Sequence, residues 1–180
     1  MNTKDIVYVA LFAALMTALG VFPPITIPAL GVPITAQSMG IMLAGGVLGA
    51  KRGALSMLLF LVLVAVGLPL LSGGRGGLGI FAGPTGGFLV GWVISAWFVG
   101  YLTEKYWEKL NIALAIGFCI AGGIILLYAI GIPWVAYAAK IPLEKAFFGS
   151  VAFVPGDLLK AVIAGAVMIA VKRSYPLIAR

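Results

Sequence analysis

Charge is nearly absent from long stretches of this chain, and the places where it does fall restrict the fold more than any motif. Apolar runs approaching the roughly 20 residues that a bilayer crossing demands are separated by short segments that carry most of the Lys, Arg, Asp and Glu. With 63% of residues hydrophobic and only 9% charged, there is too little polar surface for a water-soluble domain. The chain reads as an integral membrane protein, and 180 residues hold roughly five to seven spans with no room for a soluble domain.

Breaks in the apolar runs place six helices, at about 6–22, 36–50, 54–70, 88–102, 112–130 and 156–171, in one compact all-α bundle. Pro23 and Pro24 stop the first, because proline removes a backbone donor and restricts the residue before it. Lys4 precedes that run, but no small-x-small cleavage site closes it, so it reads as a retained helix. Residues 23–35 are apolar yet carry four prolines, which suits an ordered loop folded over the bundle. Residues 72–87 are too rich in glycine for a stable helix and form a second lid or pocket candidate.

Lys and Arg are distributed unevenly between the two sides of such a model. Lys4, Lys51, Arg52, Lys105, Lys109, Lys172, Arg173 and Arg180 share one side, and Arg75, Lys140 and Lys145 the other. The bias puts both termini in the cytoplasm, and residues 133–150 join the two loops on the outer face. The net charge of +7 therefore reads as topology, with no interleaving of basic and aromatic residues to suggest nucleic acid. With no histidine and only Cys119 as a thiol, there is no metal set, disulfide framework or Cys/His nucleophile.

Asp157 and Lys160 break the pattern. They lie at the start of the last apolar run, three residues apart and so on one helical face. With Lys172 as the inner boundary and about 1.5 Å of rise per residue, Lys160 sits roughly 18 Å up and Asp157 roughly 22 Å up within a hydrocarbon core of about 30 Å. Ionisable groups at such depth mark a ligand, ion or partner site. The plainer alternative is that Asp157, after Pro155-Gly156, caps the helix with Lys160 as its ion-pair partner. Against it, Lys160 would fall in the first turn, where the helix dipole disfavours a cation unless an anionic or polar ligand is present.

Other motifs are weaker. Gly74-Arg75-Gly76-Gly77-Leu78-Gly79 fits G-x-G-x-x-G but lacks the strand and βαβ unit of a dinucleotide site; it reads either as a flexible loop bringing Arg75 to a small ligand or as a solvated outer loop. There is no G-x-x-x-x-G-K-[ST], so any ATP-driven step needs a partner. Ala10, Ala14 and Ala18 form a small-xxx-small stripe that lets another helix approach, from inside the bundle or from a partner; for Gly45 and Gly49 the internal reading is preferred. Trp134 and Tyr137 suit an interfacial belt or a ligand wall.

The glycine loop from Gly73 to Gly77 leading to Gly83-Pro84-Thr85-Gly86-Gly87, the segment Pro33-Ile34-Thr35-Ala36-Gln37 and Pro155-Gly156-Asp157-Leu158-Leu159-Lys160 together resemble the BioY family, over nearly the whole chain. BioY proteins are the biotin-binding S components of energy-coupling factor (ECF) transporters. The resemblance implies a six-helix membrane subunit of a prokaryotic cell membrane that binds biotin near the outer surface. It implies docking on a module of two ATPases and a transmembrane coupling protein, with Ala10, Ala14 and Ala18 as the coupling stripe, and transport without catalysis or cofactor. Asp157 would accept from a ureido N–H, Lys160 would donate to a ring or tail oxygen, and Arg75 would meet the carboxylate at the mouth. Gln37 and Thr85 would complete the polar set, beside Gly74, Trp134 and Tyr137; the reversed ligand, with its carboxylate on Lys160, stays open. Rival readings are an S component for another vitamin, a self-sufficient facilitator, a small intramembrane enzyme and a structural subunit.

Overall fold

A computed structural model describes residues 2–27 and 32–178. Helix α1 spans Thr3–Gly20 and opens with a reciprocal cap, in which Asn2 accepts from the Asp5 amide and Asp5 from the Asn2 amide. Its end lies two residues before the expected one, ahead of Pro23. Between α1 and α2 the chain forms a short antiparallel hairpin, β1 (Ile25–Ile27) on β2 (Val32–Ile34), with Ile25 facing Ile34 and Ile27 facing Val32. The expected loop is therefore ordered by strand pairing; its part at residues 28–31 lies outside the described residues.

Helix α2 (Gln37–Leu48) and helix α3 (Ala50–Ala65) are separated by Gly49 alone, whose φ of +86° turns the chain. The expected loop around Lys51 and Arg52 does not exist: both sit in the first turn of α3. A cation is disfavoured there, and two local contacts offset the cost. Glu104 accepts from the Ala50 amide at 2.9 Å, and Arg52 pairs with Asp5 at 3.3 Å.

A single helical turn, α4 (Gly79–Ala82), interrupts the glycine-rich segment, and α5 runs over Gly86–Lys105. Helix α6 (Ile112–Ile120) continues through a π-helical turn, Ala121–Leu126, into α7 (Leu127–Ala139). Pro133 lies inside α7, so the expected stop at residue 130 is corrected. A proline removes one donor, and a packed membrane helix accommodates that loss through its neighbours and local π adjustment. The expected outer segment 133–150 shrinks accordingly and contains helix α8 (Leu143–Ser150). Helix α9 (Val154–Ser174) starts before Pro155, a residue that fits the first helical positions because the N–H that proline lacks would have no helical partner there.

Helix α5 packs against α2, α3 and α7 and forms the centre of the bundle. Glycine makes this approach possible. A Cβ on Gly45 would stand 2.3 Å from the Ala96 carbonyl oxygen, and one on Gly100 would stand 2.3 Å from the Ala50 nitrogen. Gly45 thus serves internal packing. Among the described residues, four helical stretches are long and apolar enough to cross a membrane: Thr3–Gly20, Gly86–Lys105, Ile112–Ala139 and Leu143–Ser174. Helices α2 and α3 are shorter, at 12 and 16 residues. Large apolar side chains stand exposed on outer helix faces, Leu11, Val62, Ile94 and Ile163 among them, as suits hydrocarbon surroundings.

Candidate functional site

One end of α9 and the segment leading into α2 line a cavity that is partly open to the surface. Its apolar wall includes Val32, Ile34, Leu71, Phe88, Trp92, Leu127 and Phe153. Phe88, Tyr128 and Phe153 stand mutually edge to face, with centroids 6.2 to 6.5 Å apart, an arrangement that aromatic quadrupoles favour. Its polar groups are Thr35, Gln37, Ser38, Arg75, Thr85, Tyr128, Asp157 and Lys160.

Asp157 and Lys160 do share a face. Lys160 lies in the second turn of α9 rather than the first, because the helix starts at Val154. Its Nζ donates to Asp157 Oδ1 at 2.8 Å, to Ser38 Oγ at 2.9 Å and to the Thr35 carbonyl at 2.7 Å. An ammonium has three donors, so all of them are committed. Asp157, 5% exposed, accepts in addition from Ser38 Oγ at 3.0 Å and, on Oδ2, from the Tyr128 hydroxyl at 2.7 Å. A carboxylate offers about four lone-pair sites, which leaves room for one more donor on Oδ2. The buried pair is thus neutralised and braced by three elements, the condition under which such a pair is tolerated.

Arg75 reaches the cavity from a tight turn. Gly73 and Gly74 have φ of +80° and +68°, and this left-handed backbone, open to glycine without strain, returns the chain so that Leu71 and Arg75 exchange backbone hydrogen bonds of 3.0 and 3.2 Å. Gly74 itself is exposed and absent from the wall; its role is the turn. Arg75 Nε donates to the Ser72 carbonyl at 3.1 Å. Among the described residues its terminal nitrogens have no hydrogen-bond partner and no carboxylate lies within ion-pair distance. Partial burial lowers the guanidinium pKa from its ordinary value by desolvation, yet such a group stays charged. An unpaired, partly desolvated cation favours an anion.

Gln37 lines the cavity with both its N–H donors engaged, on the Met16 and Leu70 carbonyls at 3.0 Å each. Thr85 lines it without a side-chain cap bond to α5. Trp134 and Tyr137 do not line it. The continuation of α7 through Pro133 takes them past the wall: Trp134 Nε1 donates to the Gly83 carbonyl at 2.9 Å, and Tyr137 is 79% exposed. Ala10, Ala14 and Ala18 lie exposed along α1. Ser38, Tyr128 and the aromatic wall carried no signal of their own in the sequence, beyond Ser38 following Gln37.

A model of the BioY family matches residues 1–177. The chain belongs to the BioY family. It is 52% identical over 183 residues to the biotin transporter BioY of Rhizobium etli, covering 99% of this chain and 98% of the relative. It is 48% identical over 189 residues to the biotin transporter BioY of Rhodobacter capsulatus, covering 98% of each. Among solved structures, the S-component for biotin from an ECF-type ABC transporter superposes with a TM-score of 0.93 at 32% identity, covering 98% of this chain and 97% of that one. These BioY relatives are transporters rather than enzymes.

Proposed function

We propose that this BioY-family chain is the biotin-binding membrane subunit of an ECF-type transporter, without catalytic activity or cofactor of its own. It takes biotin at the outer face and delivers it inward with a module of two ATPases and a transmembrane coupling protein. In this reading α2 and α3 also cross the membrane, giving six spans with both termini cytoplasmic in a prokaryotic cell membrane.

The observation that carries the reading is the division of unused polar capacity in the cavity. Among the described residues, Asp157 retains an acceptor site, Lys160 has no donor left, and Arg75 has no ion-pair partner. Biotin brings ureido N–H donors, an apolar bicycle and a carboxylate. The ureido end suits Asp157, the bicycle suits the aromatic wall and the carboxylate suits Arg75, which can grip it with two parallel bonds. The saturation of Lys160 favours this orientation over the reverse, and makes Lys160 the brace of Asp157.

Titrating biotin and biotin amide into Arg75→Ala and Lys160→Ala tests the assignment. Arg75→Ala should weaken biotin by about tenfold or more, the range for a hydrogen bond between charged groups, and leave the amide nearly unchanged, while Lys160→Ala should weaken both alike. A loss confined to biotin in Lys160→Ala would reverse the ligand. The exposed alanine stripe on α1 is the proposed coupling face: Ala14→Trp should abolish uptake in cells that carry the module while purified protein still binds biotin. Simultaneous loss of both activities would count against a coupling role.

A further inference from the structure

Resting on that reading of Arg75, we propose that Gln37 and Ser72 form a positioning node that sets the Arg75 guanidinium for the ligand carboxylate. Gln37 is 1% exposed and Ser72 fully buried, and their bonds join three separate pieces of chain. The Gln37 amide donates to Met16 in α1 and to Leu70 beyond α3, while its Oε1 accepts from the Ser72 amide at 3.0 Å. The Ser72 hydroxyl faces the Gly20 carbonyl at the end of α1, at 3.2 Å, and the Phe22 carbonyl just beyond it, at 3.0 Å. The Ser72 carbonyl in turn accepts from Arg75 Nε. One residue is therefore held by Gln37 on its amide side and holds Arg75 on its carbonyl side.

The node is closely built. A Cβ on Gly20 would stand 2.8 Å from Gln37 Nε2 and 2.6 Å from the Leu70 oxygen, so only glycine lets α1 end against it. Without Gln37, the Ser72 amide loses its side-chain anchor and the Met16 and Leu70 carbonyls lose their amide donor. Gly73 and Gly74 beside it, permissive in φ, then allow the turn to settle elsewhere. Arg75 would keep its charge and lose its place. Gln37 acts on the ligand through Arg75 and touches the carboxylate nowhere in this scheme, which makes it a positioning residue.

The test is a double-mutant cycle read with two ligands. Purified wild type, Gln37→Met, Arg75→Ala and the double variant are each titrated with biotin and with biotin amide. Gln37→Met should weaken biotin by about tenfold and the amide far less, and adding Arg75→Ala should produce no further loss. Equal weakening of both ligands, or full additivity with Arg75→Ala, would overturn the node as a positioning device and leave Gln37 a general packing residue. If Gln37→Met does not survive purification, Ser72→Ala, which removes only the hydroxyl, should show the same preference for biotin at about threefold, and an equal effect on both ligands would overturn the proposal. A selective Arg75→Ala effect with no matching Gln37→Met effect would sink the node alone. An Arg75→Ala variant that binds both ligands like wild type would sink the reading of Arg75 and the node together.

Discussion

The Tyr128 hydroxyl lies 2.7 Å from a carboxylate that is 5% exposed, and a bond of that kind to a charged group contributes about 1.5–3 kcal/mol. Tyr128→Phe removes it while keeping the ring in the edge-to-face cluster with Phe88 and Phe153. Biotin affinity is expected to fall by about tenfold, with the fold retained; unchanged affinity in a calorimetric titration would remove Tyr128 from the site. Asp157 and Lys160 were visible in the sequence because charge inside an apolar run is costly in hydrocarbon and persists where a site needs it. Tyr128 was not, since a tyrosine in such a run reads equally as an interfacial residue until α9 is seen to bring a carboxylate against it. Gln37 shows the converse: its polarity was legible, but only its neighbours in space reveal that both donors face backbone.

At the scale of elements, proline and glycine decided what could be read. Pro23 and Pro24 end a helix because nothing beyond them continues it, whereas Pro133 lies within α7; sequence alone does not distinguish the two, because the difference lies in packing around the lost hydrogen bond. Likewise a single Gly49 at positive φ replaces an expected loop and moves Lys51 and Arg52 into α3. The pairing of strands in the first loop needs a register that residues 23–35 do not announce. Contact between α3 and α5 depends on Gly100, where a Cβ would meet the Ala50 nitrogen at 2.3 Å, while a Cβ on Gly117 meets nothing within 4 Å. Gly100→Ala should therefore cost about 1–3 kcal/mol by overpacking, and Gly117→Ala should be neutral or stabilise by up to about 1 kcal/mol through helix propensity. Thermal unfolding in detergent separates the two, and equal melting temperatures would contradict the close approach.

For the molecule as a whole, helices carry apolar surface outward and fold a handful of polar groups inward around one cavity. Asp157 is braced at its inner wall by Lys160, Ser38 and Tyr128, and Arg75 is held at its glycine turn. The proposed role as a biotin-binding transport subunit requires that this chain alone retain the vitamin, with no partner present. Native mass spectrometry of the detergent-purified protein, incubated with biotin, measures that directly. One biotin bound per chain in the wild type and none in Asp157→Ala, with both proteins folded, is the predicted result; a wild-type chain that carries no biotin, or an Asp157→Ala chain that carries it equally well, would contradict it.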